Sequence, residues 1–196
     1  QVCLQEAPVN GKCFKFSQRT GEGTIDQWDV SKITDMRNAF VNREQFNGDL
    51  SKWNTTAVTS MQGMFKGAKR FNSPLTYWIT TNVKDMDRMF DGAWEFDQPL
   101  NFLDTRNVKY MNYMFRDTFM FNQDINSWDM RSVLSTEYMF YNATSFNSPL
   151  NKWDISNNKV MAHQFENSRV FNQDISMWKV GAVTTMERIF CDAPNF

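Results

Sequence analysis

The chain has a single histidine, His163, among its 196 residues. Metal centres and acid–base catalysis lean on histidine, and the sequence does not offer this one the set of partners that a metal would need. His163 is therefore read as a solvent-facing side chain. No serine or cysteine has a recognisable base partner, and there is no glycine-rich phosphate loop. These absences argue for a protein that is not an enzyme and carries no cofactor or metal. No apolar run approaches the ~20 residues that a membrane-crossing helix needs, so direct membrane insertion is not expected. Neither charge sign dominates: 21 basic and 22 acidic residues leave a formal net charge of -1. That balance gives no electrostatic reason to expect a nucleic-acid partner.

Cysteine is also sparse, at Cys3, Cys13 and Cys191. Cys3 and Cys13 bracket a short N-terminal segment and are read as a disulfide, which implies an oxidising compartment. Cys191 is left without an assigned partner. The chain starts at Gln1, which fits a processed chain or an excised fragment.

Phenylalanine, by contrast, is plentiful, with 18 copies, and it is periodic. Phe46, Phe71, Phe96, Phe121, Phe146, Phe171 and Phe196 stand 25 residues apart. A second column runs through Phe40, Phe65, Phe90, Phe115, Phe140, Phe165 and Phe190. A third holds Trp28, Trp53, Trp78, Trp128, Trp153 and Trp178, with Leu103 in its one gap. A fixed period without insertions is the mark of a solenoid, in which no repeat closes a core alone. The domain reading is an N-terminal cap over 1–24 and a repeat solenoid over 25–196. Phe196 would begin a further repeat, so the parent protein is expected to continue.

Within one repeat, Leu50, Trp53, Thr55 and Val58 match leucine-rich-repeat spacing. Alternation there predicts a short strand with Lys52, Asn54 and Thr56 on its outer face. Val58, Met61, Met64, Phe65 and Ala68 follow at spacings of three and four, predicting a helix of two to three turns. Gly67 and Gly92 are placed at helix ends. The fold class expected is α/β: a right-handed leucine-rich-repeat-like solenoid of about seven coils, each a parallel strand plus a short helix. Asn47, Asn72, Asp97, Asn122, Asn147 and Asn172 form a column of short polar side chains, read as a ladder that pairs neighbouring coils. Calcium binding by Asn47 with Asp49 and their equivalents is the competing reading, weakened because Pro74, Pro99 and Pro149 replace the aspartate in other repeats.

FNQDINSWDM and FNQDISMWKV, followed at fixed distance by Met-x-x-Met-Phe or Met-x-x-Ile-Phe, resemble the repeats of BspA-like leucine-rich-repeat surface proteins, a family that includes Mycoplasma surface lipoproteins. The resemblance covers residues 25–196. It implies an extracellular or cell-surface location and a role in adhesion or recognition, with no catalytic residues. Leu103, Thr136, Asn158 and Gln164 depart from the repeat pattern, and the last three predict a distorted helix face in their coils.

Solenoids bind through the side chains that vary. On the predicted outer strand face, Tyr77, Ile79 and Phe102 form an apolar patch beside Asp104, Arg106 and Arg131. Aromatics with arginine are enriched where proteins meet partners, so these six residues are the candidate binding site. Tyr113, Tyr138 and Tyr141 form a second cluster, suited to packing or assembly. Asn54-Thr55-Thr56 and Asn142-Ala143-Thr144 are glycosylation sequons, with both asparagines expected to face outward. The functional expectation is a non-enzymatic extracellular or cell-surface module for protein or glycan recognition and adhesion. The alternative is a structural subunit of an appendage or larger assembly.

Overall fold

The computed structural model describes residue 5, residues 7–12 and residues 24–196. The Cys3–Cys13 pairing falls outside them. The chain winds as a stack of 25-residue coils, but the coils are not strand plus helix. Among the described residues, helix makes up 2% and strand 4%, with no sheet. A 3-10 turn spans Ile25–Gln27. The expected α/β leucine-rich-repeat architecture is thereby overturned.

The hydrogen bonds show why. An α-helix would send each N–H to a carbonyl four residues back in the same segment. Here the donors alternate instead. Met61, Gly63, Phe65 and Gly67 donate to Asp85, Asp87, Met89 and Asp91 of the next coil, at 2.9, 2.8, 2.9 and 2.7 Å. Between them, Met64, Lys66 and Ala68 close turns back to Met61, Gly63 and Phe65, at 3.1, 3.0 and 2.9 Å. With the Gln62 N–H donating to Ser60 Oγ at 3.4 Å, every backbone donor from Met61 to Ala68 is satisfied, which burial demands, yet half of them leave the coil. Such a run of turns needs a left-handed residue at the third position of alternate turns. Gly63 and Gly67 supply it, at φ +59° and +67°. Gly67, placed by sequence at a helix end, is a turn residue.

The predicted strand shrinks for a similar reason. Trp53 donates to Leu50 O at 3.1 Å and Val58 to Thr55 O at 2.9 Å, so turns close on both sides of Trp53–Thr55. The neighbouring backbone is held there by a side chain. Thr55 Oγ1 accepts the Ile79 N–H at 2.8 Å and donates to Ile79 O at 2.9 Å. Parallel pairing falls elsewhere, in a ladder one residue wide: Asp35, Ser60, Asp85, Tyr110, Ser135, Val160 and Thr185 bridge successively.

The core columns lie where the period puts them. Met61, Met64, Phe65, Ala68 and Phe71 are all fully buried. Phe65 and Phe71 stack at 3.8 Å within their coil, and Phe65 meets Phe90 of the next at 5.6 Å. Each such aromatic pair adds about 0.5–1.5 kcal/mol beyond the area it buries. The Trp column is internal, and its indoles link coils. Trp53, Trp78, Trp128, Trp153 and Trp178 donate through Nε1 to the carbonyls of Ile25, Leu50, Leu100, Ile125 and Leu150 at 2.8–3.0 Å.

The short-polar column is a ladder. Asn47 Oδ1 accepts the Asn72 N–H, Asn72 Oδ1 the Asp97 N–H, and Asp97 Oδ1 the Asn122 N–H, each at 2.9 Å. Asp49 turns instead to its own turn, accepting the Ser51 N–H at 2.9 Å. The two side chains thus do separate backbone tasks. At the first coil, the Ile25 N–H donates to Gly11 O at 3.3 Å and the Asn47 N–H to Val9 O, so residues 7–12 lie against its end.

Candidate functional site

Tyr77 and Phe102 occupy the same place in successive coils. Each is the third residue of a turn closed onto the core, Trp78 N–H to Leu75 O at 3.0 Å and Leu103 N–H to Leu100 O at 3.1 Å. The inward neighbours Leu75, Trp78, Leu100 and Leu103 fix the turns, so the tip side chains have nowhere to go but outward. Tyr77 is 74% exposed, Ile79 45% and Phe102 36%. Ile79 lies on the extended stretch between turns, held by the Thr55 hydroxyl beneath it.

Beside this apolar group stand two ion pairs. Asp104 Oδ1 accepts the Arg106 backbone N–H at 3.2 Å and its Nε at 2.9 Å. Asp129 repeats the arrangement with Arg131: backbone N–H at 3.1 Å, Nε at 3.0 Å, and Nη2 onto Oδ2 at 2.6 Å. The Arg131 side chain, with its backbone N–H and charge adding to it, holds the Asp129 carboxyl below the usual carboxylate range. Asp104 and Asp129 raise Arg106 and Arg131 in turn. Both guanidiniums are anchored by one edge and mostly exposed, at 68% and 71%. Between them and Phe102 runs a shallow cleft floored by Leu103 and Thr105.

Four of the six expected residues, Phe102, Asp104, Arg106 and Arg131, line this cleft; Tyr77 and Ile79 hold the equivalent places of Phe102 and Asp104 in the preceding coil. Sequence reasoning left out Asp129, which fixes Arg131. The signal was present as the repeated spacing Asp104-x-Arg106 and Asp129-x-Arg131.

The other candidates separate. Asn54 is exposed, and its Oδ1 accepts the Thr56 N–H at 3.1 Å and the Thr56 hydroxyl at 2.7 Å. Asn142 is half-buried rather than outward, with φ +56°. Its Nδ2 donates to Asp117 Oδ1 at 2.7 Å. Cys191 is a free thiol whose pKa burial pushes upward. His163 does not stand in solvent. Its ring stacks on Tyr138 at 4.2 Å, and Nδ1 pairs with Glu166. Among the described residues, no group of three or more histidine, cysteine or acidic side chains converges as a metal site. No helix among them is long and apolar enough to cross a membrane.

A family model described as "Mycoplasma protein of unknown function, DUF285" matches residues 11–123 and again 118–196. No curated protein and no solved structure matches the chain. Two overlapping matches that together run from residue 11 to the last residue are what a repeat array gives when each window satisfies the same model. The chain belongs to the DUF285 family.

Proposed function

We propose that the chain is a non-enzymatic recognition module of the extracellular space or cell surface, which binds a partner protein through the face built on Tyr77, Ile79, Phe102, Asp104, Arg106 and Arg131. The observation that carries this reading is Tyr77. A tyrosine 74% exposed beside an exposed isoleucine and phenylalanine gains nothing for the fold, while the same places in the preceding coil hold Lys52 and Asn54. Aromatic anchors flanked by pre-oriented arginines have the composition of a binding hot spot. The stacked coils hold these side chains in register before a partner arrives, which lowers the ordering cost of association. Likeness of the repeat columns to BspA-like surface proteins supports a surface location and a role in adhesion. That likeness rests on the Phe, Trp and Met columns, not on a strand-and-helix coil.

The test is capture of a surface or matrix protein by the immobilised chain, compared with the double variant Tyr77→Ala/Phe102→Ala. The reading expects binding to fall at least tenfold, with the melting temperature unchanged. Undiminished binding by the double variant contradicts it. Purification of the native chain as a fixed subunit with this face buried supports the assembly reading instead.

A further inference from the structure

A second surface is built on the left-handed turn positions. In the column that contains Asn38 and Gly63, the next coils carry Arg88, Tyr113, Tyr138, His163 and Arg188, all with φ between +53° and +58°. Large side chains rarely adopt this backbone conformation, and such outliers concentrate where a side chain has a task. Here the side chains stack. The Arg88 guanidinium lies 3.9 Å from the Tyr113 ring centroid, Tyr113 is 4.8 Å from Tyr138, and Tyr138 is 4.2 Å from His163. Tyr141, three residues beyond Tyr138, lies 5.5 Å from it at 55°. Three half-buried tyrosines therefore present their edges along one open cleft. None of their hydroxyls has a protein hydrogen-bond partner among the described residues.

The surroundings restrict what the cleft can take. Its cations are already matched: Arg88 and Arg116 converge on buried Asp91 at 3.3 and 2.7 Å, and Arg188 meets buried Glu166 at 2.8 Å. No unpaired positive charge awaits a phosphate or sulfate. The backbone is closed too. Tyr113, Phe115 and Tyr138 N–H are spent on Glu137, Met139 and Ala162 carbonyls, so an extended peptide finds no edge to pair with. The ring faces of Tyr138 are covered on both sides, so flat apolar ligands find no slot. What remains is a row of phenol hydroxyls, each both donor and acceptor. Beside them, Arg116 directs only Nε to Asp91, leaving its terminal nitrogens free of protein hydrogen bonds.

We propose that the cleft over Tyr113, Tyr138 and Tyr141, flanked by Arg116, binds a neutral oligosaccharide through its hydroxyl groups. This face is separate from the one on Tyr77 and Phe102 and does not depend on it. The probes are maltohexaose, cellohexaose, mannohexaose and the hexamer of N-acetylglucosamine, titrated into the full chain by calorimetry. The decisive variant is Tyr113→Phe/Tyr138→Phe/Tyr141→Phe, which keeps the rings and removes only the hydroxyls. Saturable binding of at least one probe, weakened tenfold or more in a triple variant of unchanged melting temperature, supports the proposal. It is overturned if no probe binds below about 10 mM, or if the triple variant binds as tightly as the parent.

Discussion

Thr136 donates its hydroxyl to Gln164 Oε1 at 2.8 Å across two successive coils, in the middle of the core. Asn158 completes the group, giving Nδ2 to Thr136 Oγ1 at 2.9 Å and accepting the Val160 N–H at 3.1 Å. All three side chains are fully buried. They are the departures that sequence reading expected to distort these coils. Instead the usual turns persist, with Met139 N–H to Thr136 O at 3.1 Å and Gln164 N–H to Met161 O at 3.3 Å. Three polar substitutions in a greasy column are tolerated because they satisfy one another.

Breaking one member therefore costs more than replacing all three. Gln164→Met leaves the Thr136 hydroxyl proton without its acceptor, though the oxygen still accepts from Asn158, and is expected to lose about 1–3 kcal/mol. Thr136→Met/Asn158→Val/Gln164→Met restores the column residues of the other coils and is expected near the parent stability. Urea denaturation of the single and triple variants checks this. Additive losses across the three sites would show that the group is not a unit.

The left-handed turn positions make opposite forecasts for glycine. A Cβ at Gly67, φ +67°, would lie 2.4 Å from Asn42 Oδ1. Gly67→Ala should lose about 1–2 kcal/mol from backbone strain, plus whatever the displaced Asn42 forfeits. Asp192 sits in the same column of the last coil at φ +55°. Asp192→Gly relieves that strain and is expected to gain up to about 1 kcal/mol, less the entropy glycine returns to the unfolded chain. Thermal melts of both variants decide the matter.

The indole ladder contains its own control. Leu103 replaces Trp, so Leu75 O accepts only the Trp78 backbone N–H of its own turn. Leu100 O, by contrast, takes both the Leu103 N–H at 3.1 Å and Trp128 Nε1 at 2.9 Å. Trp128→Phe leaves that carbonyl with one donor, and should cost about 1 kcal/mol for the bond in addition to the lost indole area. Equilibrium unfolding that shows no loss would mean the indole bonds contribute nothing.

Acid should destabilise the stack. Asp29, Asp49, Asp154 and Asp174 are held below the usual carboxylate range by hydrogen bonds from their own turns, and Glu166 by Arg188 and then His163. Depressed folded-state values mean stability is fully present above the unfolded carboxylate pKa of about 4. It is lost as pH falls through the folded values. Asp87 has the opposite sign: burial raises it, so the native state favours its proton and carries a penalty above the folded value. Asp87→Asn keeps an oxygen for the Asn112 N–H, now 2.7 Å away, and should raise stability at neutral pH but not at pH 3 to 4. Denaturation midpoints of parent and variant at pH 7 and at pH 3 to 4 read the result.

What was legible in the sequence was periodicity, because Phe65, Trp78 and Met89 must face the same axis in any solenoid. Conformation was not. Met61, Met64, Phe65 and Ala68 at spacings of three and four suit a helix, but a run of turns with every second N–H leaving the coil brings the same residues inward. The distinguishing clue is local. Gly63 and Gly67 lie four apart, Asn38 and Asn42 likewise, and glycine and asparagine are the residues that enter left-handed turns at least cost. The candidate face was legible because Tyr77 and Phe102 differ from Lys52 in one column. The tyrosine cluster was legible as well, from Tyr113, Tyr138 and Tyr141; the stacking of His163 on Tyr138 was not, since those rings meet only when that column bends into left-handed turns.

The most direct measurement is the backbone conformation at Tyr113, Tyr138 and His163 in solution, from NMR scalar and residual dipolar couplings. Alternating turns place all three at positive φ, near +58°, +55° and +58°. Values near the helical −63° would restore the strand-and-helix coil and dissolve the stacked surface with it.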